Sequence, residues 1–382
     1  MTGSPFLTLP GAVPAEAPDE GVAAHYGNPL VEQRRLEQGR AIVDLSHRGV
    51  VTVSGPDRLS WLNSMASRAL DRLAPGESVE ALFLDASGHV EHAVHALDDG
   101  ERTWLVVEGG DAARALAGWL DRMRFMLRVE VADASDAHAV VAAVPRGDDL
   151  PFELPEGALA WDDPWRRVIA DGYAYAPESG HAGATWRLVE AIVPRPALAG
   201  LAAQVRAGTL QAAGVLALEA LRIAAWRPRF ATEVDERTLP HELDWLRSAV
   251  DLNKGCYRGQ ETVAKVVNLG RPPRRLVMLH LDGSDTILPV PGDVVIGVKQ
   301  RPEPAPGEDP ERRAVGAITS AAMHHELGPI ALAVVKRAVP AELELIVESH
   351  GTDVAASQVE IVPAGAGPAV EVPRLPRLGI RH

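Results

Sequence analysis

Residues 254–266 read KGCYRGQETVAKV. The stretch holds the chain's only cysteine, Cys256, between Lys254-Gly255 on one side and Arg258-Gly259 on the other. The two glycines admit backbone conformations closed to other residues and let a ligand approach the chain closely. Lys254 and Arg258 bring positive charge to the thiol, and where those side chains point inward the field favours thiolate. A thiolate would attack a disulfide or ligate iron as a soft donor. The other fate open to a free cysteine is that of a small buried hydrophobe. Beyond the loop the positive charge continues: from Lys254 to Arg275 stand six cations against one acid, Glu261, in a chain of formal charge −14. Such a strip is either a solvated basic loop or a seat for carboxylates, which arginine engages two oxygens at a time.

The rest of the composition sets limits. At 382 residues the chain exceeds one ordinary core, so two or three domains are expected. Hydrophobic residues make up 46% and charged residues 24%, the balance of a soluble globular protein. There is no apolar run of the roughly 18 residues a membrane helix needs. The first residues, MTGSPFLTLPGAVPAEAPDEG, lack the basic start and apolar stretch of a secretory signal. One cysteine permits no internal disulfide and fits a reducing, cytoplasmic setting. The acidic balance argues against nucleic acid or a membrane surface as partner.

Residues 1–22 are rich in Pro, Gly and Ala without periodicity and read as a flexible leader. In NPLVEQRRLE, Asn28 and Pro29 are a helix cap and first turn. Strand, turn and helix follow in GVVTVSGPDRLSWLNSM, then a hairpin about residues 85–88 and an amphipathic helix bearing Leu116, Trp119, Leu120, Met123 and Leu127. Residues 146–164 read as a surface excursion and WRRVIA (165–170) as a strand. GVLALEALRIAAW is apolar on most faces, hence a deeply packed helix. From about 275 to 363, short strands without helices predict a small β-barrel, interrupted by a proline-rich hairpin tip over 301–313. Residues 364–382 read as a flexible tail. Hairpins mixed with helices make the class α+β.

KGCYRGQE resembles the signature of the YgfZ-type folate-binding proteins, relatives of the glycine cleavage T-protein with a branch serving iron–sulfur cluster assembly. DLSHRGVVTVSGPDRLSWLNSM, LRIAAWRPRFATEVDERTLPHEL and VGAITSAAMHHELGPIALAVVK are similar to other parts of that family. The resemblance implies a three-lobed ring around a central channel that takes tetrahydrofolate or a polyglutamylated folate. Residues 23–274 would form two interleaved α+β lobes and 275–363 the barrel. It implies an accessory protein that supports assembly or repair of iron–sulfur enzymes. Its partners would be folate and iron–sulfur client or assembly proteins.

Within that frame Cys256, Lys254 and Arg258 form the working centre. Tyr257 stacks on a folate ring or packs on a domain wall. Gln260 and Glu261 hydrogen-bond a pterin edge or fix the loop. Arg222, on the apolar helix, needs a partner if buried; it faces ligand or makes a structural ion pair. Asn63 meets the channel or lies on plain helix surface. Two departures weigh against aminomethyl transfer, the alternative activity. Where T-proteins have GGxxDD this chain reads GHVEHAV, with Glu91 and His92 in place of the aspartates, and the family's GYTGEDGFE is replaced by GHAGATWRLV, which has no carboxylate for the pterin. His89, Glu91 and His95 could share a strand face, but they read as solvated or packed side chains and no metal is expected.

Overall fold

The first described residues pack against the body of the protein. Ser4 caps a short 3-10 turn, Pro5–Thr8, and β1 (Val13–Pro14) pairs antiparallel with β2 (Ala23–His25). Phe6 and Leu9 are buried against Ile42, Val141, Val193 and Leu201, and Asp19 is buried in contact with His47 and Arg229. The expected loose leader is therefore corrected over residues 3–22. Pro and Gly erase its periodicity, but two apolar anchors and a buried ion pair hold it. The computed structural model describes residues 3–284, 287–299 and 310–367. Most of the predicted proline-rich tip and nearly all of the predicted tail lie outside these.

Asn28 Oδ1 accepts from the N–H groups of Leu30 and Val31 at 3.2 Å and so starts α1 (Pro29–Glu37). There follow β3 (Ala41–Asp44), β4 (Gly49–Ser54), α2 (Arg58–Met65), β5 (Ser78–Leu84), β6 (Val90–Asp98), β7 (Arg102–Val107), α3 (Gly110–Met123) and β8 (Glu130–Asp133). Next come β9 (His138–Ala143), β10 (Leu159–Asp162), β11 (Val189–Pro194), α4 (Ala197–Ala207), β12 (Gln211–Ala213), α5 (Val215–Ala224), α6 (Phe230–Glu233), α7 (Leu246–Ala249) and α8 (Gln260–Leu269). One sheet has the order β10-β11-β9-β3-β12, the other β5-β6-β7-β4-β8, so the chain crosses between them more than once. Among the described residues only β12 pairs in parallel, with β3.

The third lobe is all β, as the run of short strands without helices predicts. The strands β13 (Arg274–Leu281), β14 (Val294–Lys299), β15 (Glu311–His324), β16 (Gly328–Lys336), β17 (Glu344–Ser349) and β18 (Thr352–Glu360) close into a barrel in the order β13-β16-β15-β14-β17-β18. Closure removes the unpaired edges that a six-stranded sheet would otherwise expose.

The largest apolar cluster joins all three lobes. It gathers Leu218, Leu221 and Ile223 of α5, Val43 of β3, Leu82 of β5, Leu332 of β16 and the indoles of Trp165 and Trp245. Two local readings are corrected. WRRVIA forms no strand: Asp163 Oδ1 accepts from Trp165 N at 3.0 Å and caps a 3-10 turn, Pro164–Arg166. The expected surface excursion contains β10, which pairs with β11. On α3 (Gly110–Met123), Leu116 and Leu120 are buried and Met123 is exposed; the helix stops short of Leu127, which is exposed beyond it.

Candidate functional site

Gly259 sets the position of the signature loop. Its φ of +83° is the left-handed conformation that favours glycine, and it opens α8. A Cβ there would stand 2.6 Å from the Asp85 carbonyl oxygen and 3.0 Å from Gly88 Cα. Gly88, with φ of +85°, faces back on Thr262. The loop is thus locked against the turn between β5 and β6 by close backbone approach. Gly255 has open space around it.

The cations of the loop are engaged by the protein. Lys254 Nζ donates to the carbonyls of Asn63 and Ala66 at 2.5 and 2.6 Å and of Arg68 at 3.3 Å, around the C-terminus of α2. It also lies 5.1 Å from the Tyr257 ring centroid. Burial pushes its amine down to about 8. Arg258 Nη1 donates to Glu91 Oε2 at 2.8 Å. Gln260 Nε2 donates to the Lys254 carbonyl at 3.2 Å, which makes it a loop-fixing residue. Tyr257 is buried in the central cluster, a wall residue. Asn63 Oδ1 accepts from Leu70 N at 3.0 Å, shaping the end of α2. Glu261 is exposed in the first turn of α8. Cys256 itself is exposed.

The wider basic strip does not survive as a free surface. Arg274 binds Asp235 and Glu242, and Arg275 is buried with bonds to the Val339 carbonyl and Gln358. With Lys254 and Arg258, four of the six cations counted in the sequence have partners inside the protein.

Where the three lobes meet, the structure places a charged network that the sequence did not single out beyond Arg222. Arg222 is 4% exposed and pairs with Glu219 at 2.6 Å and Glu233 at 3.1 Å, and its Nη2 donates to Ser320 of the barrel. Arg227 pairs with Glu80 at 2.7 Å and Asp163 at 3.0 Å. Arg229 pairs with Asp19 and Glu219, both at 2.8 Å, and with Glu108 at 3.4 Å. Arg48 binds Glu190 and Glu108. Burial alone would raise Glu108 and Glu190, but Arg229 and Arg48 beside Glu108, and Arg48 and His95 beside Glu190, outweigh it and hold both at about 2. The signal available in the sequence was WRPRF, two arginines flanking a proline after an apolar helix.

The predicted histidines are separated. His95 Nδ1 lies 2.8 Å from Glu190 Oε2 and its ring stacks on Trp161 at 3.8 Å. His89 Nδ1 lies 3.0 Å from Asp85 Oδ2. Burial pushes His92 down. Among the described residues no group of three His, Cys, Asp or Glu side chains is placed to hold a metal, and no helix is long and apolar enough to cross a membrane.

Comparison with known proteins agrees with this architecture. A glycine cleavage system aminomethyltransferase from Bartonella henselae superposes with a TM-score of 0.69 at 18% identity, over 94% of this chain and 96% of that one. The fold is the aminomethyltransferase fold. Residues 26–145 match the family model described as the GCVT N-terminal domain. A putative chloroplastic transferase of Arabidopsis thaliana is 25% identical over 72% of this chain, and the match spans 64% of that protein's own length. The aminomethyltransferase of Moorella thermoacetica is 27% identical over 81% of this chain and 82% of its own. A mitochondrial iron–sulfur cluster assembly factor, an IBA57 homologue of Cryptococcus neoformans, is 24% identical over 63% of this chain and 66% of its own.

Tetrahydrofolate is the expected ligand of the ring centre, which charged side chains narrow in this structure. The cavity between Arg48, His95, Glu190, Arg222, Arg227 and Arg229 has a volume of about 40 Å³. Small-molecule pockets run to about 300–1,000 Å³, so a pteridine here would require these side chains to move. Two buried donors in its wall, Arg48 Nε and Arg227 Nη1, have no partner among the described residues, which suits a water. In the GHAGATW segment His181, Gly183 and Trp186 are buried. His181 stands edge-on to Trp226 at 5.0 Å and Trp165 at 5.8 Å, and a Cβ on Gly183 would meet Trp165 at 2.6 Å.

Proposed function

We propose that this chain is an accessory protein for the assembly or repair of iron–sulfur clusters, of the YgfZ type that its signature resembles, with Cys256 as its working thiol. The observation that carries the reading is an exposed sulfur on a loop held at both ends: Lys254 is tied to the end of α2, and Gly259 is wedged against the β5–β6 turn. A soft sulfur on a rigid mount can contact an iron centre or a thiol on another protein without reorganising the loop. The cluster is cargo in this reading, not a resident cofactor. Likeness to the Cryptococcus assembly factor supports it.

Aminomethyl transfer is less well supported. It requires a carboxylate beside the reacting folate nitrogen, and Glu91, which stands where the family has aspartate, is engaged by Arg258. A folate at the ring centre would have to open the ion pairs of Arg222 and Arg227. The test is replacement of the chromosomal copy by Cys256→Ser, followed by the activity of an iron–sulfur dehydratase normalised to its protein level. Activity should fall to the level of the deletion strain. Full activity with serine would overturn the thiol role.

A further inference from the structure

Between α3 and β8 the chain turns through Arg124-Phe125-Met126-Leu127-Arg128. Phe125 is 89% exposed and Met126 98%, and Met123 and Leu127 beside them are exposed as well. Single apolar side chains on a surface are ordinary, but three in succession held out in water are not. Among the described residues no other run of consecutive large apolar side chains is exposed.

The tip is held out by the fold. Phe125 has φ of +46°, a left-handed conformation that bulky residues rarely adopt. Hydrogen bonds on both sides fix it. Leu127 N donates to the Arg124 carbonyl at 3.0 Å and Arg124 Nη1 to the Val129 carbonyl at 3.3 Å. Arg128 gives its backbone N–H, Nε and Nη2 to the Asp57 carboxylate at 2.9, 3.0 and 2.6 Å. Strain of this kind persists only where the surroundings over-determine it, and an anchor already fixed loses little freedom on binding.

Asp57 is the cap residue of α2, so the tip is mounted on the N-terminal end of that helix. The C-terminal end holds the Cys256 loop, through Lys254 and the carbonyls of Asn63 and Ala66. With eight residues α2 is about 12 Å long. The apolar tip and the exposed sulfur are thus fixed to the two ends of one short helix. Between them Ser60 and Ser64 are exposed, with their hydroxyls bonded back to the carbonyls of Asp57 and Trp61. A partner of standard interface size, about 800 Å² on each side, would cover both when laid along α2.

Charge decides the kind of partner. Arg124 is paired with Asp121 and Arg128 with Asp57, and Glu130 is exposed beside them. Arg122 is exposed and makes no hydrogen bond or ion pair among the described residues. A single unpaired cation at the tip of a chain of charge −14 is too little to draw it to an anionic bilayer, which takes a cluster of basic residues. It does suit one carboxylate at the rim of a protein pocket.

We propose that residues 122–127 form a docking anchor for a protein partner. Phe125 and Met126 enter an apolar pocket on it, Arg122 meets a carboxylate at the rim of that pocket, and the partner lies along α2 so that its iron or thiol faces Cys256. The nature of the partner rests on the function proposed above; the surface itself does not.

Photo-crosslinking in cells, with p-benzoylphenylalanine in place of Met126, tests the surface. One adduct should form, with a protein that carries or builds an iron–sulfur cluster. It should fall at least threefold with Arg122→Glu and persist with Cys256→Ser. Chromosomal replacement by the double variant Phe125→Asn, Met126→Gln should lower the activity of an iron–sulfur dehydratase at least fivefold. The thermal midpoint of that variant should not fall below wild type, because asparagine accepts left-handed backbone, and its Cys256 should be alkylated by iodoacetamide at the wild-type rate. The wild-type chain should not pellet with vesicles of phosphatidylglycerol and phosphatidylethanolamine. No adduct, an adduct insensitive to Arg122→Glu, adducts only with proteins outside iron–sulfur metabolism, or vesicle binding that the double variant abolishes would each overturn the proposal. Dehydratase activity lost with Cys256→Ser but kept with the double variant would overturn it alone. Full activity with Cys256→Ser, the adduct still forming, would remove the thiol role and leave the anchor standing.

Discussion

Arg258 Nη1 donates to Glu91 Oε2 at 2.8 Å and so joins the signature loop to β6, while 36 residues earlier Arg222 joins α5 to the barrel through Glu219, Glu233 and Ser320. The two arginines differ in burial, and burial decides what each contributes. The Arg258 and Glu91 side chains are 41% and 36% exposed, so water and salt screen the pair to about 0–1 kcal/mol. Arg222 is buried among carboxylates that would be left uncompensated without it, a loss of about 3–5 kcal/mol. Denaturant unfolding should show Arg258→Ala near the wild-type midpoint and Arg222→Ala far below it. Equal midpoints would mean that the central network is not what holds the lobes together.

The two glycines of KGCYRGQE should behave differently on substitution, although the sequence assigns them one role. Gly259→Ala forces a side chain into left-handed backbone, at about 1–2 kcal/mol, and drives its Cβ against the Asp85 carbonyl. Gly255→Ala meets nothing within 4 Å and has no positive φ. Thermal unfolding should place Gly255→Ala within about a degree of wild type and Gly259→Ala several degrees lower. The rate of Cys256 alkylation should change only in the second, because only that loop must move off the β5–β6 turn.

Much of the fold was legible because its determinants are local. Asn28-Pro29 announces α1, and the succession of short strands without helices from about 275 announces the barrel. What stayed hidden depends on residues far apart in sequence. Phe6 is buried by residues more than thirty positions away, and no period in PFLTLPGAVP signals it. The central network draws Asp19, Arg48, Glu80, Glu108, Asp163, Glu190 and Arg229 from separate elements. Each alone reads as an ordinary surface charge. At the candidate site the sequence identified the loop and its only thiol, but not that Lys254 would be turned toward the end of α2.

Asp244 gives the stability a definite slope with pH. It is fully buried in left-handed backbone, φ +55°, and burial raises its carboxyl to about 7 despite the N–H of Tyr175 at 2.6 Å and Arg247 at 3.4 Å. Burial also lowers Arg247, so both members of the pair are driven toward neutrality. In the unfolded chain Asp244 ionises near 4. Between about pH 4 and 7 the folded state therefore holds the extra proton, and the stability it confers, complete below pH 4, is lost as pH rises through 7. His181 and His241, lowered to about 4 by burial, act in the opposite sense as pH falls below 6.5. The difference between wild type and Asp244→Asn cancels them. Unfolding free energies from pH 4 to 8 should show the wild type losing ground to the variant as pH rises; a flat difference would mean that Asp244 is ionised in the fold.

The closed centre makes a prediction that separates this chain from its aminomethyltransferase relatives. A pteridine can enter only if the pairs of Arg222, Arg227 and Arg229 open and the indoles of Trp186 and Trp245, which line the same cavity, withdraw. Breaking buried ion pairs without replacement costs about 3–5 kcal/mol each, and at 1.4 kcal/mol per tenfold a single opened pair already removes a factor of more than 100 from any affinity. Titration with tetrahydrofolate, followed by quenching of the intrinsic tryptophan fluorescence, should show no saturation up to about 100 times the concentration at which a competent relative saturates. Saturable quenching would show instead that the network opens at low cost. The carboxylates around Arg229 would then have to be read as the resting state of a folate site.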